Sequence, residues 1–97
     1  MITSKQRAYL RGLANTMDPI LHIGKEGISK QVVQQAWDAL EARELIKVAV
    51  QRYAPFDTTR DACATLCEQV HAEPVQCIGS KFVLYRRSRE EPHLLPE

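Results

Sequence analysis

No apolar run in the 97-residue chain approaches the roughly 18 residues that a bilayer-crossing helix requires. The opening MITSKQRAYL lacks the basic segment and apolar stretch of a secretion signal. Cysteine is sparse and odd in number (Cys63, Cys67, Cys77), so reduced thiols are expected, not a disulfide frame. These absences predict a cytoplasmic protein with no membrane partner. Nucleotide motifs are also missing. A P-loop needs GxxxxGK followed by Ser or Thr, but Lys25 is followed by Glu26 and no glycine stands at the upstream spacing. A dinucleotide fingerprint needs GxGxxG, and position 22 is His. Neither a nucleotide cofactor nor a small-molecule substrate is expected. No nucleophile, base and orienting acid fall together, so no catalytic residues are assigned. Cys63, Cys67 and His71 are spaced four apart, with Cys77 a few residues on. A metal site needs about four converging ligands, whereas Cys63 and Cys67 fall in an apolar stripe with Leu66 and Val70. They are expected as core thiols, with no metal bound.

What is present reads as one small α/β domain. Thr3-Ser4-Lys5-Gln6 fits a capping box, with Thr3 as N-cap and Gln6 three residues on. Tyr9, Leu10, Leu13, Ala14 and Met17 then share one helical face, and Asp18-Pro19 ends the helix. Pro19 to Ile23 reads as a short strand. A second helix spans about 29–44, with Val32, Val33, Ala36, Ala39 and Leu40 inward. Leu45 to Val50 is a β-branched strand, so the two strands should be parallel in a βαβ unit. A third helix spans about 58–72, with Ala62, Cys63, Leu66, Cys67 and Val70 inward. Glu73-Pro74 breaks it. Val75–Ile78 and Lys81–Arg86 form a hairpin about Gly79-Ser80, where a Gly-first loop favours a type II′ turn. The expected order is α-β-α-β-α-β-β, one four-stranded mixed sheet packed with helices. The domain is expected over 1–87, with a mobile tail over 88–97. Tyr9 is expected in the core, Trp37 at its edge, and His22 partly exposed on its strand. Tyr85 fits core or sheet surface equally.

Charge is unevenly placed beneath a net +1. Residues 1–37 carry Lys5, Arg7, Arg11, Lys25 and Lys30 against two acids, and residues 79–89 carry Lys81, Arg86, Arg87 and Arg89 against none. The segment between them is net acidic. If the first helix, the Gly24-Lys25-Glu26-Gly27 loop and the last strand lie together, a basic face results. The GKEG loop falls between a strand and a helix N-terminus. Two readings of it stay open. Its glycines would let a partner approach the main chain closely, and Lys25 would add a cation for phosphate. Otherwise it is an ordinary βα turn. Glu26 works against an anion.

Taken in order, KQRAYLRGLA, PILHIGKEGIS, ALEARELIKVAV and VQCIGSKFVLYRR resemble the CRM domain, over about residues 3–87. This is the RNA-binding module of chloroplast splicing factors and of bacterial stand-alone YhbY-like proteins. The resemblance implies a fold similar to the C-terminal domain of translation initiation factor 3. It implies that the GxxG loop, here Gly24, Lys25, Glu26 and Gly27, contributes to RNA binding. It implies a partner in ribosomal RNA of the large-subunit precursor. Around that loop the expected surface collects Lys5, Arg7, Arg11, His22, Lys30, Lys81, Arg86 and Arg87. The chain departs from the family pattern at Glu26 and Ala49, where positive charge is lost. A monomer is expected. The competing reading is a protein-interaction module that docks on ribosomal or other proteins without touching RNA.

Overall fold

In the computed structural model, residues 2–88 are described. The first helix, α1 (Ser4–Ala14), begins as the capping box requires. Gln6 N–H donates to Thr3 Oγ1 at 3.1 Å, and Thr3 N–H donates to Gln6 Oε1 at 2.9 Å. The helix closes at Asn15, so Met17 packs from the following loop. Strand β1 (Leu21–Ile23) is two residues shorter than its apolar run. Ser29 caps α2 (Lys30–Arg43) through its hydroxyl. Glu44 ends that helix at φ 65° and leads straight into β2 (Leu45–Val50). Thr58 caps α3 (Thr59–Val70), which stops at His71 in the left-handed region.

Strand β3 (Glu73–Ile78) includes Pro74, where a break between helix and strand was expected. Two features accommodate the proline. β3 pairs only with β4 (Lys81–Tyr85), so it is an edge strand, and its register shifts between Pro74 and Gln76. An edge strand tolerates a residue with no N–H to donate. The β3–β4 connection is the two-residue Gly79-Ser80 loop, with Gly79 at φ 59°.

The sheet order is β1-β2-β4-β3. β1 runs parallel to β2, and β4 runs antiparallel to both of its neighbours. Alternation along the strands builds two cores. Leu21, Ile23, Ile46, Val48, Phe82 and Leu84 pack beneath α2 and α3. On the other face Leu45, Val83 and Tyr85 pack against Ile2, Leu10 and Ala14, from the α1 side, and Val75 joins them. Tyr85 is therefore core. Tyr9, expected there, is 52% exposed, because the sector of α1 against the sheet is narrow and centres on Leu10 and Ala14. Trp37 is half-buried at the rim of the α2–α3 core, as its position on the helix implied.

Packing continues through the last described residue. Ser88 is buried, and its N–H donates to the carboxylate of Glu44 at 2.6 Å. Ser88, the first residue of the expected tail, thus packs against the domain. The rest of the expected tail lies outside the described residues.

Candidate nucleic-acid interface

Because β1 and β2 are parallel, the loops that leave them emerge at the same end of the sheet. The last pair is Ile23 with Val50, and Gln51 N–H then donates to Ile23 C=O at 2.8 Å. From Ile23 the chain enters GKEG. Gly27 N–H donates to Gly24 C=O at 2.9 Å, which closes a tight turn. Gly27 is buried at φ 70°, a conformation that costs side-chain-bearing residues. Lys25 and Glu26 project from the tip into solvent. Two residues after Gly27 comes Ser29, the cap of α2, and then exposed Lys30.

The second loop, from Gln51 to Thr58, forms the other wall. Tyr53 Cε2 lies 3.7 Å from the position a Cβ would take on Gly24. Pro55 Cγ lies 3.0 Å from the equivalent position on Gly27. Gly24, Lys25, Glu26 and Tyr53 together line a shallow recess of about 510 Å³. His22, exposed on β1, approaches Gln51 Nε2 through Nδ1 at 3.4 Å. Lys81 opens β4 opposite Ala49, and Val50 N–H donates to Ser80 C=O, so Lys81 stands at this same end. On the sheet face that α1 leaves uncovered, Lys47 and Lys81 line a second depression of about 230 Å³ with Asn15 and Ile78.

The fold thus gathers His22, Gly24, Lys25, Glu26, Gly27, Lys30 and Lys81 at one end. The other expected members are elsewhere. Arg7 is half-buried on α1 and lines a groove along the β3 edge, while Lys5 and Arg11 are exposed on the same helix. The start of α1 is tied to the far end of the sheet, where Ile2 N–H donates to Glu73 Oε1 at 3.0 Å. Arg87 is exposed beyond the far end of β4, six residues and about 20 Å of extended chain past Lys81. Arg86 itself is a correction to the expected surface: it is only 9% exposed. Its guanidinium lies 4.1 Å over the Trp37 ring, donates to Val70 C=O at 3.1 Å and pairs with Glu41 at 3.5 Å. It ties the ends of α2 and α3 to β4 and does not present its charge to solvent.

The thiols behave as core groups. Cys63 and Cys67 are buried inside α3's inner face. The two thiols interact with each other, which lowers the Cys63 pKa and, together with burial, raises that of Cys67. Among the described residues, no three His, Cys, Asp or Glu side chains converge as metal ligands would. None of the described helices is long and apolar enough to cross a membrane.

Three features were not read from the sequence: exposed Arg52 and Tyr53 in the β2–α3 loop at this end, and Lys47 on the adjoining sheet face. The signal for the first two was present. A βαβ unit with parallel strands places both carboxyl-terminal loops side by side, where ligands of open α/β sheets bind.

Comparison with known proteins matches residues 2–86 to the model of the CRS1 / YhbY (CRM) domain. The chain is 38% identical over 94 residues to the probable RNA-binding protein YqeI of Bacillus subtilis, covering 97% of each. It is 35% identical over 95 residues to an RNA-binding protein of Haemophilus influenzae, covering 98% of this chain and 95% of that one. Among solved structures, it superposes with a TM-score of 0.78 on the solution structure of a Staphylococcus aureus hypothetical protein proposed to bind RNA. That protein is 49% identical, and the match covers 93% of each chain. With the family model spanning nearly every described residue, the chain belongs to the CRS1 / YhbY (CRM) domain family.

Proposed function

We propose that this chain binds structured ribosomal RNA of the large-subunit precursor, as a non-catalytic monomer acting in the cytoplasm. The GKEG turn holds the phosphate backbone. The observation that carries this reading is the exposed tip of a Gly27-locked turn, at the sheet end that also bears Lys30 and Lys81, in a chain whose named relatives are RNA-binding proteins. Backbone N–H groups near the start of α2 and the Lys25 ammonium supply donors and positive charge for phosphate oxygens. Lys30, Lys81 and Arg52 add long-range attraction, and each phosphate contact releases counterions, which makes affinity fall with salt. Most such contacts position the RNA without reading its bases. Glu26 at the tip opposes phosphate and lowers the affinity of the turn.

The test is fluorescence-anisotropy binding of a structured large-subunit RNA fragment from low to moderate salt, with wild type and Lys25→Glu. Binding should fall with salt and weaken in the variant. Absence of binding at low salt, or an unchanged variant, would return GKEG to an ordinary turn and shift the function to a protein partner.

A further inference from the structure

The exposed aromatic ring beside the glycine turn has no structural task that accounts for its position. Tyr53 is 66% exposed, and its hydroxyl makes no hydrogen bond among the described residues. Yet the ring is not free of the site. The atom nearest Gly24 is Cε2, on the ring's rim, at ordinary contact distance from where a side chain there would begin. The ring thus touches the turn along one rim and leaves most of its surface to solvent. It forms one wall of the shallow recess whose other members are Gly24, Lys25 and Glu26. Its chain neighbour Arg52 is exposed as well. Tyr9, the other strongly exposed tyrosine, sits on α1 with no such turn against it.

We propose that Tyr53 is a nucleobase-stacking residue, so that the GKEG end takes an unpaired nucleotide and not a continuous duplex. This deepens the RNA reading above and rests on it. A base lying on the ring sits beside the Lys25 tip, because Tyr53 and Lys25 line the same recess. An aromatic face interleaved with cations and an approachable backbone is the arrangement by which proteins hold single-stranded nucleic acid. Duplex RNA cannot use it, since its bases are already stacked on one another. The preferred substrate is therefore a structured RNA that offers a splayed base in a loop or bulge. Stacking tolerates every base, so sequence preference is weak.

The test compares two RNAs of equal length and charge, one a continuous duplex and one a hairpin with an unpaired loop. Wild type, Tyr53→Ala, Tyr53→Phe and Lys25→Glu are titrated with each at constant salt. Far-UV circular dichroism confirms that each variant is folded, as expected for changes at exposed side chains. Tyr53→Ala should lose roughly 5- to 150-fold in affinity for the hairpin, the range that one stacked base supplies, and little for the duplex. Tyr53→Phe should bind as wild type does. The salt slope of Tyr53→Ala should be unchanged, because no charge is removed. If Tyr53→Ala binds the hairpin as tightly as wild type, or loses both RNAs equally, the stacking proposal is overturned. Should Lys25→Glu weaken binding while Tyr53→Ala does not, stacking fails and the phosphate reading stands. Should Lys25→Glu leave both RNAs unaffected, the phosphate reading fails, and with it the paired placement of base and phosphate proposed here.

Discussion

The two glycines of GKEG look equivalent in the sequence, and the structure separates them. Gly27 sits at φ 70°, and a Cβ there would meet Pro55 Cγ at 3.0 Å. Gly24 does not have a positive φ, and a Cβ there would meet only Tyr53 Cε2, at 3.7 Å. An alanine held in the left-handed region costs about 1–2 kcal/mol. Restricting the unfolded chain offsets about 0.4–1 kcal/mol of this. The contact with Pro55 requires the proline ring to shift by a few tenths of an ångström, so the net destabilisation by Gly27→Ala should be about 1–2 kcal/mol. For a domain of this size each kcal/mol moves Tm by roughly 4–8 °C. Gly24→Ala carries the favourable unfolded-state effect without the strain, and should be neutral or stabilising by up to about 1 kcal/mol. Urea unfolding followed by the fluorescence of Trp37, the single tryptophan, measures both. A cycle with Pro55→Ala then divides the Gly27 cost: the steric share should vanish in that background and the backbone share should persist. Equal stability of the two glycine variants would refute the reasoning, because it would mean that the turn does not lock Gly27 in the left-handed region.

Other outcomes follow from the same geometry. Replacing Arg86 by Met keeps much of the packing on Trp37 but leaves Val70 C=O without its donor and Glu41 without this cation. It should cost about 1–3 kcal/mol in chemical denaturation and leave RNA affinity unchanged in the folded protein; a selective loss of affinity would return Arg86 to the binding surface. Half-buried Cys77 should alkylate first in the native protein, with Cys63 and Cys67 protected until unfolding, as read by mass spectrometry. Burial raises the Cys77 pKa, so its thiolate is depleted at a given pH and labelling should still be accelerating above the ordinary thiol range; a rate already level at pH 8 would contradict this. Glu26→Lys should tighten RNA binding and steepen the salt slope by about one, whereas no change would remove the tip of the turn from the contact.

Much of the fold was legible because local signals agreed with one another. The Thr3–Gln6 box, the β-branched run from Leu45 and the Gly79-Ser80 loop each specify one structure, and each formed where expected. Pro74 misled because a proline reads as a breaker until the strand is known to be an edge, and edge position is a property of the whole sheet. Tyr9 misled because a helical face drawn from sequence is wider than the sector that α1 presses on the sheet. Arg86 was misplaced for a related reason. A basic residue at a strand end reads as surface charge, and its burial depends on Trp37 and Glu41 arriving from α2. Buried Glu44, whose backbone accepts from Arg86 N–H and whose carboxylate accepts from Ser88 N–H, was equally invisible. At the candidate interface, GKEG was found by its glycines and its place between strand and helix. Tyr53 was not, since its relevance comes from the parallel pairing of β1 and β2 and not from its neighbours in sequence.

The most direct measurement is an amide ¹H–¹⁵N titration of the protein with a structured large-subunit RNA fragment at low salt. The account predicts that the amides that move will cluster at Gly24 to Gly27, Lys30, Gln51 to Tyr53 and Lys81, all at one end of the sheet, while those beside Arg86 and Arg87 at the other end stay still. Shifts confined to the Arg87 end or to the outer faces of α2 and α3, or no shifts at all, would contradict it.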